Sequence, residues 1–426
     1  MQARLSYRLV LGVAAMAFAI GGCGGPSPTL SPTAAPTPTV TLSPVATVAS
    51  SEADQAVYAS IESQVEAIRG LSHKTVVAPV LLDSAGVHDW LVKANEAQTD
   101  HVAFANESRL FIDMGLLPAG SSLEQMSLDL QAGQVVGFYD QVSKGLYVLS
   151  ESGGVGPTQK ITFAHEYTHA LQDQTFGLDK LATDTADQGD QDLSRLALVE
   201  GDATQLMTQW ATADMSILDL LAVAGDAASA EQQKQLDAAP AILRETLLFP
   251  YEDGLSFVSA VYAKGGWAAV DQLYADPPDS TSQILHPDLY VEKVKPVALS
   301  VPPVPATLGG GWKLTMQDTL GELQLGIWLA GPDATDAARI AAKANVSTWG
   351  GDRVGLYEGP AGAWAVVLRT TWRDAAGAAA FDASVGRLLS AAKTPSRSCA
   401  GTSEVTVVIA STQDVLPLLE DCSSVR

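Results

Sequence analysis

Positive charge is what this sequence lacks most. Its 426 residues hold 25 Lys and Arg against 48 Asp and Glu, a formal charge of −23. So acidic a surface repels phosphate backbones, which argues against a nucleic-acid partner. Its plain role is solubility. Cysteine is scarcer still, with three in the chain. Long apolar runs are missing too: beyond the N-terminus none could cross a bilayer, and no internal repeat is visible. A hydrophobic share of 47% with 17% charged residues is nonetheless globular composition.

The exception is the N-terminus. Arg4 and Arg8 precede an uncharged apolar run, Leu9 to Ile20, too short to span a membrane but right for the core of a signal peptide. The run ends in Ile20-Gly21-Gly22-Cys23, which resembles the lipobox of bacterial lipoproteins. The resemblance implies removal of residues 1–22 and a lipid on Cys23. From Gly24 to Ser50 the chain has six prolines and no charged residue. Such a segment builds no core and favours an extended spacer, so residues 23–51 read as a lipid-anchored linker. In an exported chain, Cys399 and Cys422 then predict a disulfide closing the last strand and helix. They have no nearby histidine to complete a metal site.

Residues 52–300 read as one mostly helical domain. Helical spacing with a terminal glycine covers 52–70, a strand follows within 74–82, and Ala85 to Ala97 reads as a helix. Residues 102–131 read as helical with a break near "LLPAGSS". "QVVGFYDQVSKGLYVLSE" is a β-hairpin about the polar stretch 140–145. The proline-rich "VKPVALSVPPVPATLGGG" marks the best boundary in the folded chain. Beyond it, residues 305–426 alternate apolar stretch, helix, hairpin, helix and strand, a small α/β accessory domain.

The chemistry centres on "TFAHEYTHALQDQ", residues 162–174. His165 and His169 are four apart on a predicted helix and share a face. Both rings can therefore reach one ion at about 2.0–2.1 Å. Glu166, rotated by about 100°, falls beside that ion, where it can take a proton from water. The alternative is an amphipathic core helix with two hydrogen-bonded histidines. A third ligand is wanted. Gln172 and Thr175 stand where a metzincin would have Gly and His or Asp, and Asp173 is too far along the same helix to converge. Asp173 is better placed as an acceptor behind His169.

The stronger third ligand is Glu200. The stripe Leu193, Leu196, Glu200, Ala203, Met207, Trp210 is apolar except at that glutamate, and a carboxylate on a buried face is costly unless paired or bound to metal. The alternative is a glutamate at the stripe's edge, reaching solvent or Arg195. Gly201 would let another element come close, and Asp202 points away.

"HEYTH" with a glutamate on a following helix in "LVEGDAT", and the hairpin ahead of them, resembles the gluzincin branch of zinc metallopeptidases over residues 132–212. The usual "NExxSD" form of third-ligand motif is replaced here by Glu200-Gly201-Asp202. The resemblance implies an α+β, zincin-like peptidase domain that binds extended peptide along an edge strand. It implies zinc held by His165, His169 and Glu200, with Glu166 as general base. A further donor for the oxyanion is expected from His286, Tyr251 or Tyr262. His286 reads equally as a loop-fixing residue, and Arg353 is less suited because it lies in the C-terminal domain. The expected protein is an extracytoplasmic zinc peptidase, lipid-anchored to a bacterial membrane and acting on proteins or peptides. Two other readings stay open: a zincin-fold lipoprotein that binds or senses without hydrolysis, and a solute-binding lipoprotein whose histidines are structural. Zinc content separates the last from the others.

Overall fold

A computed structural model describes residues 11–14, 47–150, 154–183, 185, 187–226, 230–303 and 308–419. Cys23, most of the expected leader and spacer, and Cys422 lie outside the described residues. Strands β1 (Leu11–Ala14) and β2 (Thr47–Val48) precede helix α1 (Glu52–Arg69). The Ser51 hydroxyl accepts the Asp54 amide while the Asp54 carboxylate accepts the Ser51 amide, a reciprocal cap, and Gly70 ends the helix at φ 74°. Then come β3 (Pro79–Leu82), α2 (Ser84–Gln98), α3 (His101–Asp113), α4 (Leu123–Gln134) and the hairpin β4 (Val135–Asp140) and β5 (Gly145–Leu149). Asp140 closes its turn by accepting the amides of Val142 and Ser143 at 3.1 and 2.9 Å.

The long helices α5 (Pro157–Phe176) and α6 (Gly189–Asp214) are followed by α7 (Ile217–Asp226), α8 (Ala230–Ala238) and α9 (Ala241–Ala275). Helix α9 is broken at Gly266, φ 62°. Short helices α10 (Thr281–Leu285) and α11 (Pro287–Val291) end this part. The rest is β6 (Lys313–Asp318), α12 (Gly321–Ala330), α13 (Asp336–Val346), β7 (Trp349–Glu358), β8 (Trp364–Trp372), α14 (Ala375–Ala392), β9 (Ser396–Ala400), β10 (Glu404–Ala410) and α15 (Leu416–Leu419). The chain is thus mixed and mostly helical with two small sheets, in keeping with an α+β class. Strands β6 and β9, short and at the sheet margins, have no counterpart in the sequence reading.

The first sheet has the order β1-β4-β5-β3-β2, with β3 parallel and β4 antiparallel to β5. Among the described residues, β4 has β1 alone on its outer side. The second sheet, β6-β7-β8-β10-β9, is antiparallel throughout. Its strands alternate with period two. Val354, Leu356, Val366, Leu368, Val405 and Val407 join a core with α12 and α14, while Tyr357, Ala365, Val367 and Val408 face Val415 and Leu416. The first of these cores also takes in Leu110, Phe111, Phe257 and Val258 from α3 and α9. Apolar packing therefore runs unbroken across the proline-rich boundary. That segment is itself strapped down: the Val297 amide donates to Gly350 O at 2.7 Å and the Tyr357 hydroxyl to Pro302 O at 2.6 Å. Cys399, on β9, is disulfide-bonded; its expected partner Cys422 is not among the described residues.

Candidate metal centre

Helix α5 starts at Pro157, where a missing amide costs nothing, and stops at Gly177 with φ 74°. Its centre, Thr162 to Asp173, is buried on every side. Strand β4 lies along one flank. A Cβ on Gly137 would come within 2.7 Å of Thr162 Cγ2 and 3.6 Å of Glu166 Cγ, so strand and helix meet at the motif's glutamate.

Helix α6 forms the other wall, and two contacts set its position. Asp202 receives Arg69 of α1 in a fork, 2.8 Å from Nε and 3.0 Å from Nη2, and takes the Tyr274 hydroxyl at 2.7 Å. Both charged side chains are fully buried, so removing either would strand the other. Across the helix, a Cβ on Gly201 would sit 2.3 Å from Gly254 O, and one on Gly254 would sit 2.3 Å from Ala197 O. The backbones of α6 and α9 touch there, the close approach that Gly201 allows.

Held so, Glu200 turns to α5. Its Oε2 lies 3.1 Å from His165 Nε2 and 3.3 Å from His169 Nε2, and the two Nε2 atoms are 2.9 Å apart. Donors at zinc distance in a tetrahedron stand about 3.3 Å apart, so this triangle suits such an ion. The tautomers fit as well. Gln172 donates its amide to Val199 O at 3.1 Å and so turns Oε1 to His169 Nδ1 at 2.8 Å. That bond keeps a proton on Nδ1 and leaves Nε2 as the ring nitrogen turned to Glu200, the one a metal ion would take. These three residues are the one group of metal-ligating side chains among the described residues whose donor atoms converge within 4.8 Å.

The electrostatics of the three groups are coupled. Burial pushes His165 down to about 4. Burial opposes a charge on His169 too, but Glu200 and Glu166 overcome it and push that ring up to about 9. Glu200, which burial would raise, is pulled down to about 2 by the two histidines. The pocket thus pairs the Glu200 carboxylate with a positive charge on the His169 ring.

Other candidates separate cleanly. Tyr251 reaches the centre: burial first, then Glu200 and Glu166, push its hydroxyl well above its usual range, and it hydrogen-bonds Glu200. Its ring centroid is 6.3 Å from that of His165. Tyr262 lies about 16 Å further along α9 and packs edge-on to Trp267. His286 is not brought to the centre. Its Nε2 is 2.7 Å from Glu322, and it lines a separate cavity with Leu285, Arg339 and Lys343. Arg353 is tied to Asp187 at the seam with the C-terminal part. Arg195 donates to Leu181 O at 2.7 Å, not to Glu200, which is buried.

The acceptor behind His169 is Gln172, not Asp173. Asp173 is taken by the hairpin, which supplies the Tyr139 hydroxyl at 2.8 Å and Lys144 Nζ at 2.6 Å. Both residues lie about one turn beyond His169; the sequence reading chose the i+4 Asp173, and the i+3 spacing of Gln172 was the signal it passed over. A cleft of about 80 Å³ opens beside the centre, its wall holding Glu200 and Tyr251 together with apolar residues such as Phe111 and Leu193 and the polar Glu107 and Gln131.

Residues 313–418, the second sheet and its helices, match a family model described as a domain of unknown function, DUF8575. No curated protein and no solved structure matches the chain.

Proposed function

We propose that this chain is a zincin-like zinc peptidase, held by a lipid on Cys23 at the outer face of a bacterial membrane, that hydrolyses peptide bonds. The observation that carries this reading is the convergence of His165, His169 and Glu200 with Glu166 beside them on the helix. A glutamate next to the first histidine has no part in simply holding a metal. Bound there, zinc would act as a Lewis acid that activates water and polarises a carbonyl.

The chain's own groups do the rest. Glu166 accepts the proton from the attacking water and passes it to the leaving amine. Tyr251 keeps its proton far above neutral pH and can donate to an oxygen that gains negative charge. Gln172 holds the His169 ring in its tautomer. Strand β4 has an edge for an extended peptide, and the leader illustrates the fit, pairing Gly12 with Phe138 and Val13 with Gly137 in antiparallel register. Gly137 is the residue of β4 that abuts Glu166.

The test is metal analysis of the purified protein beside cleavage of an unstructured protein. Wild type should carry about one zinc per chain. Glu166→Gln should keep the zinc and lose about 10²–10⁴-fold in rate. A chain that takes up no zinc would end this reading. The non-hydrolytic alternative, a metal-binding or sensing lipoprotein, draws on burial: His165, Glu166 and His169 are 0% exposed and Glu200 1%. It predicts zinc in both forms and no cleavage by either.

A further inference from the structure

Helix α7 turns its apolar side outward. Ile217 is 77% exposed, Leu218 78% and Leu221 64%, with Leu220 at 37%. A single exposed leucine needs no explanation, but four large aliphatics on one ten-residue helix form a patch. At about 100° per residue they fall within one half of the helix, and Val223 lies opposite. Val223 is the inward residue, packed on the core of α1, β3–β5, α5 and α6. Asp219 falls on the inward side with Val223, 3.8 Å from Lys160 of α5, so the exposed side carries no acid between its aliphatics.

We infer that α7 is a second, non-covalent membrane contact, through which the body lies down on the bilayer that holds its lipid. This rests on the anchor at Cys23 and is independent of the metal centre. Three observations favour lipid as the occupant. First, the spacer enters the body through Val48, which packs on the same core as Val223, so the tether and the patch belong to one unit. Second, the 23 residues from Gly24 to Ala46, ahead of β2, reach at most about 70 Å at ~3.1 Å per residue, which keeps the body near the surface and lets it rotate onto it. At the local concentration a tether creates, a contact too weak to hold a free protein suffices. Third, α7 carries no Lys or Arg and the chain is strongly acidic, so attraction to anionic headgroups is not available. Aliphatic insertion is what the helix offers.

The test uses the mature lipid-modified protein in phosphatidylcholine vesicles, with an environment-sensitive fluorophore on Leu218→Cys. Cys399 is disulfide-bonded, and Cys23 would carry the lipid. Ile340→Cys is the control, because Ile340 is 69% exposed but stands alone on α13. The label at 218 should shift to the blue and be roughly halved in intensity by brominated lipid, and the label at 340 should do neither. Adding Leu221→Asp should return the label at 218 to its water-exposed spectrum. Identical spectra at the two positions would overturn the inference. So would a blue shift at 218 without bromine quenching, which would mean that a protein surface covers α7. Mass analysis of the Cys23 peptide tests the anchor itself, and a lipid-free Cys23 removes the inference while leaving the metal centre intact.

Discussion

Two buried carboxylates on one helix behave in opposite ways. Glu200 and Asp190 both lie on α6, 1% and 3% exposed. Glu200 faces two imidazoles and is pulled down to about 2 against its burial. Asp190, at the seam with the C-terminal part, accepts the Thr281 amide and hydroxyl and has the acids Asp352 and Glu322 nearby. Burial pushes it up to about 7. Its neighbours follow the same rule. Asp318 accepts the Gly189 amide, Asp352 accepts the amides of Leu320 and Gly321, and burial raises both. These three acids cap the starts of α6, α10 and α12 and hold the two parts together. Burial alone raises an acid's pKa; a set of partners that keeps it charged is what distinguishes the candidate metal centre.

That contrast can be broken from either end. Glu200→Ala should have the largest effect, lowering zinc affinity by more than the ~10–100-fold typical of losing a supporting partner; competition with a chromogenic chelator measures it. Gln172→Ala should stay within about 10–100-fold, whereas Asp173→Asn, which loosens the hairpin contact, should leave zinc affinity near wild type. Equal losses in these two variants would return Asp173 to the role behind His169.

Gly201→Ala acts on the packing that aims Glu200. With 2.3 Å to a backbone oxygen the helices must separate, at a cost of about 1–3 kcal/mol in denaturant unfolding, and zinc should bind more weakly in parallel. Asp190→Asn changes the shape of the chain least. The folded chain keeps the Asp190 proton to about pH 7, the unfolded chain only to about 3.8. The folded state binds more protons between those values, so this group's stabilisation is full below the window and lost as pH rises through it. Asparagine still accepts from Thr281 and cannot ionise. The thermal midpoint of this variant should therefore fall less than that of wild type between about pH 4 and 7, and a parallel fall would show that Asp190 is not the titrating group.

Much of the centre was legible in the residues. His165, Glu166 and His169 follow from spacing on a helix, and Glu200 from a carboxylate where the stripe wanted an apolar residue. The hairpin announced itself by its polar turn, and the helix ends by Pro157, Gly70 and Gly177. Less visible were Gln172, because two residues about one turn beyond His169 compete for the role, and the choice among Tyr251, Tyr262 and His286. The stretch after the proline-rich boundary was legible as alternating elements, yet its packing against α3 and α9 was not.

The sequence by itself determined what depends on neighbours along the chain: the shared face of His165 and His169, the caps, the turn and the alternation of β7, β8 and β10. Only tertiary structure decided what depends on partners far apart. Asp202 meets Arg69 across 133 residues, and Gly201 meets Gly254 through their backbones. Those contacts turn Glu200 towards the histidines and bring Tyr251 beside them. Helical periodicity is a local property of the backbone, whereas the rotation of one helix against another is set by the few side chains that fill, or leave open, the space between them.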